Sequence, residues 1–144
     1  AQEFIKPLPF KTLSRNPVIT SLYDEEEDWC PAHISLADAT DLILLAPATA
    51  NIIAKLANGL ADDALSCIVL AANPEAKLII APALNGKMWQ NDATQLNVQI
   101  LKDRGVQFVG PEEGDLACGY EGLGRLSPVE KITEVALKTV GLDP

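Results

Sequence analysis

A chain of 144 residues, 48% of them hydrophobic, is long enough to bury one core without disulfides or a structural metal. Its formal net charge of −9 and pI near 4.4 exclude a nucleic-acid or anionic-membrane surface, since both would repel it. The three cysteines, Cys30, Cys67 and Cys118, form no Cys-x-x-Cys pair, so neither a disulfide framework nor a zinc site is expected, and a reducing, cytoplasmic setting fits.

Asp24 to Asp28 reads as a solvated acidic loop. No apolar run reaches the roughly 18 to 20 residues that span a bilayer, and the start lacks the basic-then-apolar order of a signal peptide. His33, the only histidine, precedes Ile34-Ser35-Leu36-Ala37, which opens a predicted helix. It is either a general base or an ordinary, partly packed imidazole. Asp41 to Ala46 is a predicted strand ending at Pro47, followed by a helix with Ile52, Ile53, Leu56, Ala57 and Leu60 on one face. Ala64 to Ala72 is apolar on nearly every side and reads as a buried helix. Lys77 to Ala81 is a second strand ending in proline. Asp92 can cap a helix carrying Leu96, Ile100 and Leu101 and stopping at Gly105, and Val106 to Val109 gives a third strand. At the end, Ser127, Pro128 and Glu130 spell a capping box, with Ile132, Val135, Ala136 and Val140 inward and Gly141 as the stop.

Strands alternating with helices at these lengths predict a three-layer α/β/α domain on a parallel, Rossmann- or flavodoxin-like sheet. No linker or repeat divides it. Ligands of such sheets sit beyond the carboxyl ends of the strands, which directs attention to two loops. Pro47-Ala48-Thr49-Ala50-Asn51 puts a hydroxyl and an amide at a helix N-terminus, where they either hold a ligand edge or cap the helix. Pro82 to Trp89 mixes Asn85, Met88 and Trp89. Asn85, directly before Gly86, is a turn former or a ligand contact, while Met88 and Trp89 line a pocket or pack under the next helix. In Ala117 to Leu126, glycines flank Cys118 and suit an accessible thiol that moves a proton. Cys67 reads as inert packing, and Cys30 has no assigned role. No nucleophilic triad, P-loop or complete dinucleotide fingerprint is present.

Three of these motifs in order, Pro47 to Asn51, Pro82-Ala83-Leu84-Asn85 with Met88-Trp89, and Ala117-Cys118-Gly119 running to Arg125, resemble the homo-oligomeric flavin-containing cysteine decarboxylases. The stretch His33-Ile34-x-Leu36-Ala37 resembles their catalytic histidine region, so the resemblance covers nearly the whole chain. The cysteine-containing third motif resembles members acting on phosphopantothenoylcysteine and is absent from those acting on lantibiotic peptides.

The resemblance implies a carboxy-lyase of coenzyme A biosynthesis with FMN as cofactor. The substrate cysteine is oxidised to a thioaldehyde, loses carbon dioxide to give an enethiol, and is reduced to phosphopantetheine. It implies His33 as the base, Asn85 as holder of the substrate carboxylate and Cys118 as the final proton donor. Thr49, Ala50, Asn51 and Ile52 would lie along the flavin with Ala83 behind it, and Leu116 and Ala117 would flank the substrate beside Cys118. It further implies a homotrimer, or a dodecamer of trimers, with sites between subunits, and in bifunctional relatives a fused phosphopantothenate–cysteine ligase domain.

Two positions depart from the pattern. Leu84 stands where the family usually has methionine, a volume-conserving change. Family members open with a strand and a glycine-containing loop for the flavin phosphate, so residues 1–144 are expected to be an N-terminally truncated flavoprotein domain lacking its first β-α element. The competing readings are a non-catalytic FMN-binding regulatory subunit and another flavin enzyme of the same fold. The combination of His33, Asn85 and Cys118 favours the decarboxylase.

Overall fold

The computed structural model describes residues 2–23, 32–115, 119 and 121–143. In chain order its elements are α1 (Pro7–Ser14), α2 (Ala32–Asp38), β1 (Leu42–Ala48), α3 (Ala50–Asn58), α4 (Ala64–Ala71), β2 (Lys77–Pro82), α5 (Gly86–Trp89), α6 (Asp92–Asp103), β3 (Gln107–Phe108), β4 (Glu112–Asp115), β5 (Glu121–Arg125) and α7 (Val129–Thr139). The acidic run and Cys30 lie outside the described residues.

β1, β2 and β3 form a parallel sheet in that order, with Leu42 opposite Lys77 and Ile79 opposite Gln107. β2 is buried from Ile79 to Pro82 because both of its faces are covered. Its side chains alternate between two clusters, as the two-residue period of a strand requires. Ile80 joins Leu45 and Ala48 under α3 and α6, against Ile53, Leu56, Ala57, Val98 and Leu101. Ile79 and Ala81 point to the other face, against Val109 and Ile132, with Val135 and Ala136 of α7 alongside. This is the expected three-layer architecture. Strands buried on two faces need continuous apolar runs, which is why the sequence made them conspicuous.

Several local expectations are corrected. β3 is shorter than Val106 to Val109, although Val109 N–H still donates to Ile80 O at 2.9 Å. Asn91, not Asp92, caps α6, its Oδ1 accepting from Ala93 N–H at 3.0 Å, and Leu96 is 63% exposed while Val98 carries the buried stripe. Leu60 falls beyond the C-cap Gly59 and is exposed. α4 is a helix as expected, yet only its Ser66 is fully buried, and Leu65 and Leu70 face outward.

The expected capping box at α7 does not form. Ser127 is buried and donates its hydroxyl to Glu112 Oε1 at 3.1 Å, so a tertiary partner takes the group that local pattern assigned to the helix. Val140 lies beyond α7 and is 40% exposed. Instead, Asp63 and Ser66 form a reciprocal box at the start of α4. Elements α1, α5, β4 and β5 were not anticipated. α1 buries none of its residues, and β4 and β5 pair antiparallel, with β5 falling in the segment read as a glycine-rich loop.

Candidate active site

The loops after β1 and β2 lie side by side at the carboxyl end of the sheet. Ala48 pairs with Pro82, and beyond that pair Ala83 N–H donates to Ala48 O at 2.9 Å. Thr49 occupies the N-cap position of α3 in extended conformation, but its hydroxyl makes no capping bond. The first amide of the helix to find a backbone acceptor is Ile53 N–H, on Thr49 O at 3.2 Å. Thr49 and Asn51 are exposed, whereas Ala50, Ile52 and Ala83 are half-buried. The loop therefore presents a hydroxyl, an amide and an uncapped helix N-terminus above small and branched apolar side chains.

Asn85 is built differently. It caps the single turn of α5, its Oδ1 accepting from Lys87 N–H at 3.0 Å and its carbonyl from Trp89 N–H at 2.9 Å. Trp89 is half-buried against the α3–α6 core, and Gln95 Nε2 donates to Trp89 O at 2.6 Å, so the turn is tied to α6 as well. Met88 is 52% exposed and does not join that packing. On its other side the turn meets β5, where Leu84 N–H donates to Gly124 O at 3.0 Å. That backbone contact was not anticipated. The only signal for it was the clustering of glycines at 86, 122 and 124.

The family model described as Flavoprotein matches residues 1–141. The chain belongs to the flavoprotein family. Among relatives of this flavoprotein, the coenzyme A biosynthesis bifunctional protein CoaBC of Bacillus subtilis is 47% identical over 138 residues, which are 96% of this chain and 34% of that protein. A probable phosphopantothenoylcysteine decarboxylase of Streptococcus mutans is 41% identical over 93% of this chain and 75% of its own length. The chain thus spans about a third of the bifunctional relative. Among solved structures, the FMN-dependent cysteine decarboxylase SpaF superposes with a TM-score of 0.79 at 30% identity, covering 97% of this chain and 75% of that one. A PPC decarboxylase mutant complexed with pantothenoylaminoethenethiol does so with a TM-score of 0.75 at 30% identity, covering 93% and 79%.

The first loop of this flavoprotein fits a flavin. A flat, largely apolar ring with hydrogen-bonding edges suits half-buried Ile52 and Ala83 next to the hydroxyl of Thr49 and the amide of Asn51. His33 is half-buried on α2, which packs on α4. Leu116, Ala117 and Cys118 lie outside the described residues, between Asp115 at the end of β4 and Glu121 at the start of β5. Cys67 donates its thiol to Ala61 O at 3.4 Å, in keeping with a packing role.

Strong electrostatics lie away from the loops. Lys55 pairs with Asp62 at 2.6 Å and Asp63 at 2.7 Å. The Lys55 ammonium and Ser66 N–H hold the Asp63 carboxyl down at about 2. Lys131 and Ser127 lower Glu112. A polar depression lined by Asp38, Asp41, Glu75 and Lys77 opens at the amino ends of β1 and β2, opposite the loops, and holds none of the candidate residues. Among the described residues no acidic, histidine or cysteine group is arranged to hold a metal, and no helix is long and apolar enough to cross a membrane.

Proposed function

We propose that this domain decarboxylates phosphopantothenoylcysteine to phosphopantetheine in coenzyme A biosynthesis, with FMN along the Thr49 loop. The observation that carries the reading is the Asn85 turn, a preformed amide beside the flavin-compatible loop, in a chain 47% identical to CoaBC. Bound FMN would supply the oxidation that activates the substrate and the matching reduction that completes the cycle. The substrate's CH₂–SH carbon and sulfur together lose two hydrogens to become a thioaldehyde. Carbon dioxide then departs and an enethiol forms. Two hydrogens return to give the saturated thiol, so the net change is loss of carbon dioxide alone.

While Asn85 Oδ1 accepts from Lys87 N–H and fixes the amide's orientation, Nδ2 is the group that can donate to the substrate carboxylate. A neutral donor orients that group without a cation that would oppose its departure. His33 takes the proton in the oxidative half, and Cys118 gives one in the reductive half. His33 stands on a helix packed against α4 rather than on the strand-end loops, which favours a homo-oligomer, a trimer or a dodecamer of trimers, where it serves a neighbouring subunit. The match to a third of a bifunctional relative supports a ligase domain in the full protein, and the chemistry belongs in the cytoplasm.

Anaerobic mixing of the FMN-loaded protein with phosphopantothenoylcysteine tests the reading. Transient loss of flavin absorbance with release of both carbon dioxide and phosphopantetheine is expected. Bound FMN with neither product would make this a non-catalytic flavin carrier, and turnover only of a peptide ending in cysteine would move it to the other substrate class.

A further inference from the structure

We infer that Glu112 is a positioning residue for Asn85, acting through the β5 backbone that brackets the Asn85 turn. The inference rests on the role proposed above for Asn85. Leu84 and Gly86, the two chain neighbours of Asn85, both lie against β5. Leu84 N–H donates to Gly124 O at 3.0 Å, and a β-carbon built on Gly124 would stand 2.1 Å from Leu84 O and 3.2 Å from Gly86 N. One built on Gly86 would stand 2.5 Å from Leu123 O. Main chain therefore rests on main chain on either side of Asn85, and no rotation of a side chain absorbs a shift of β5.

What holds β5 in place is Glu112. Among the described residues β4 and β5 form a two-stranded sheet separate from β1, β2 and β3, so strand pairing does not tie them to the core. Glu112 of β4 stands opposite Arg125, the residue after Gly124. Its Oε1 accepts from Ser127 Oγ at 3.1 Å and from Lys131 Nζ at 2.8 Å. Both donors belong to the start of α7, which is seated on the sheet through Ile132 against Ile79 and Ala81. The Ser127 hydroxyl is closely enclosed. The residue is 2% exposed, and a β-carbon at Gly110, whose φ is +86°, would stand 2.5 Å from its Oγ. A buried hydroxyl is costly to leave without its acceptor, so the pair with Glu112 is a strong tie. The tie runs from α7 through Glu112 to the β4–β5 pair, and from Gly124 to both neighbours of Asn85.

The test compares Glu112→Ala, Ser127→Ala and Glu112→Gln as FMN-loaded proteins. Three quantities are read: kcat/KM for carbon dioxide release from phosphopantothenoylcysteine, inhibition of that reaction by phosphopantetheine, and amide exchange at Leu84. Phosphopantetheine lacks the carboxylate that Asn85 holds, so a displaced Asn85 penalises the substrate and spares this inhibitor. In Glu112→Ala, kcat/KM should fall about 10- to 10²-fold, the scale of a misplacement by roughly an ångström, with inhibition changed by no more than about twofold. Leu84 N–H should exchange faster. Ser127→Ala should move the same readouts the same way by less. Glu112→Gln keeps an oxygen that accepts from both donors, and the charge it loses faces a lysine screened by solvent, so it should behave as the parent. Parental kcat/KM and a protected Leu84 in Glu112→Ala would overturn the inference. So would a Glu112→Gln as impaired as Glu112→Ala, or substrate and inhibitor weakened equally, the mark of a general folding defect. Should Glu112→Ala not fold, Ser127→Ala decides. Should the parent release no carbon dioxide, the functional reading fails, while Leu84 exchange in the variants still tests the hold of Glu112 on the turn.

Discussion

After β1, Thr49 stands at the N-cap of α3 with its hydroxyl making no cap. After β2, Asn85 stands at the N-cap of α5 with its Oδ1 taken by Lys87 N–H at 3.0 Å. The difference follows from what each helix needs. α3 has nine residues and buries Ile53, Leu56 and Ala57, so packing holds it without a cap, and the threonine is left for another purpose. α5 is a single turn with no fully buried residue and depends on its cap. In the proposed function, one loop keeps its polar groups for a ligand, and the other is shaped before any ligand arrives.

The comparison breaks most visibly at Asn85. Asn85→Asp keeps an oxygen for Lys87 N–H but removes the donors and sets a negative charge against the substrate carboxylate. Carbon dioxide release should fall by about 10²- to 10³-fold, the order seen when one oriented donor is lost, with thermal unfolding little changed. Near-parental turnover would reduce Asn85 to a turn residue. Thr49→Val probes the other loop, where FMN titration should show affinity weakened by up to about tenfold, the worth of one hydrogen bond. Stability should stay within about 0.5 kcal/mol of the parent. A large stability loss with unchanged FMN binding would return the hydroxyl to α3.

The smallest effect is expected at a cap with no ligand role. Asp63→Ala should cost about 1 kcal/mol in urea unfolding at neutral pH, mainly through the lost cap, because solvent screens the half-exposed pair with Lys55. The Asp63 carboxyl sits at about 2, below its ordinary 3.8. Its contribution is therefore complete above pH 3.8 and disappears as pH falls through about 2. The gap between variant and parent should close over that interval. A gap that persists at pH 2 would assign the loss to packing.

Features whose causes are local were legible in the sequence. The proline-ended runs at β1 and β2 announced both strands and both loops: β2, covered on two faces, must be continuously apolar, and β1 reads the same way although Leu44, Ala46 and Pro47 are exposed. Asn85 was visible because an Asn-Gly step restricts what the chain can do. Features whose cause lies elsewhere in the chain were not legible. Ser127 carries a helix-capping pattern, but Glu112 claims its hydroxyl. α4 is apolar all round, which reads as burial, yet Leu70 is 62% exposed. β4 and β5 pair Glu, Glu, Gly and Asp with Arg, Leu, Gly and Glu, with no hydrophobic alternation, so no period revealed the hairpin. Of the candidate site, the Thr49 and Asn85 loops could be placed side by side, His33 stands on a separate helix, and Cys118 with its neighbours lies outside the described residues.

The bond from Ala83 N–H to Ala48 O joins the two loops just past the last paired residues of β1 and β2. A molecule that holds one loop in place also restricts the other, and thermodynamic linkage makes the benefit mutual. Saturating the first site should tighten the second by some factor, and filling the second should return the same factor to the first. On the proposed function, cofactor and substrate should therefore bind cooperatively, with part of the coupling carried by this backbone bond between their loops.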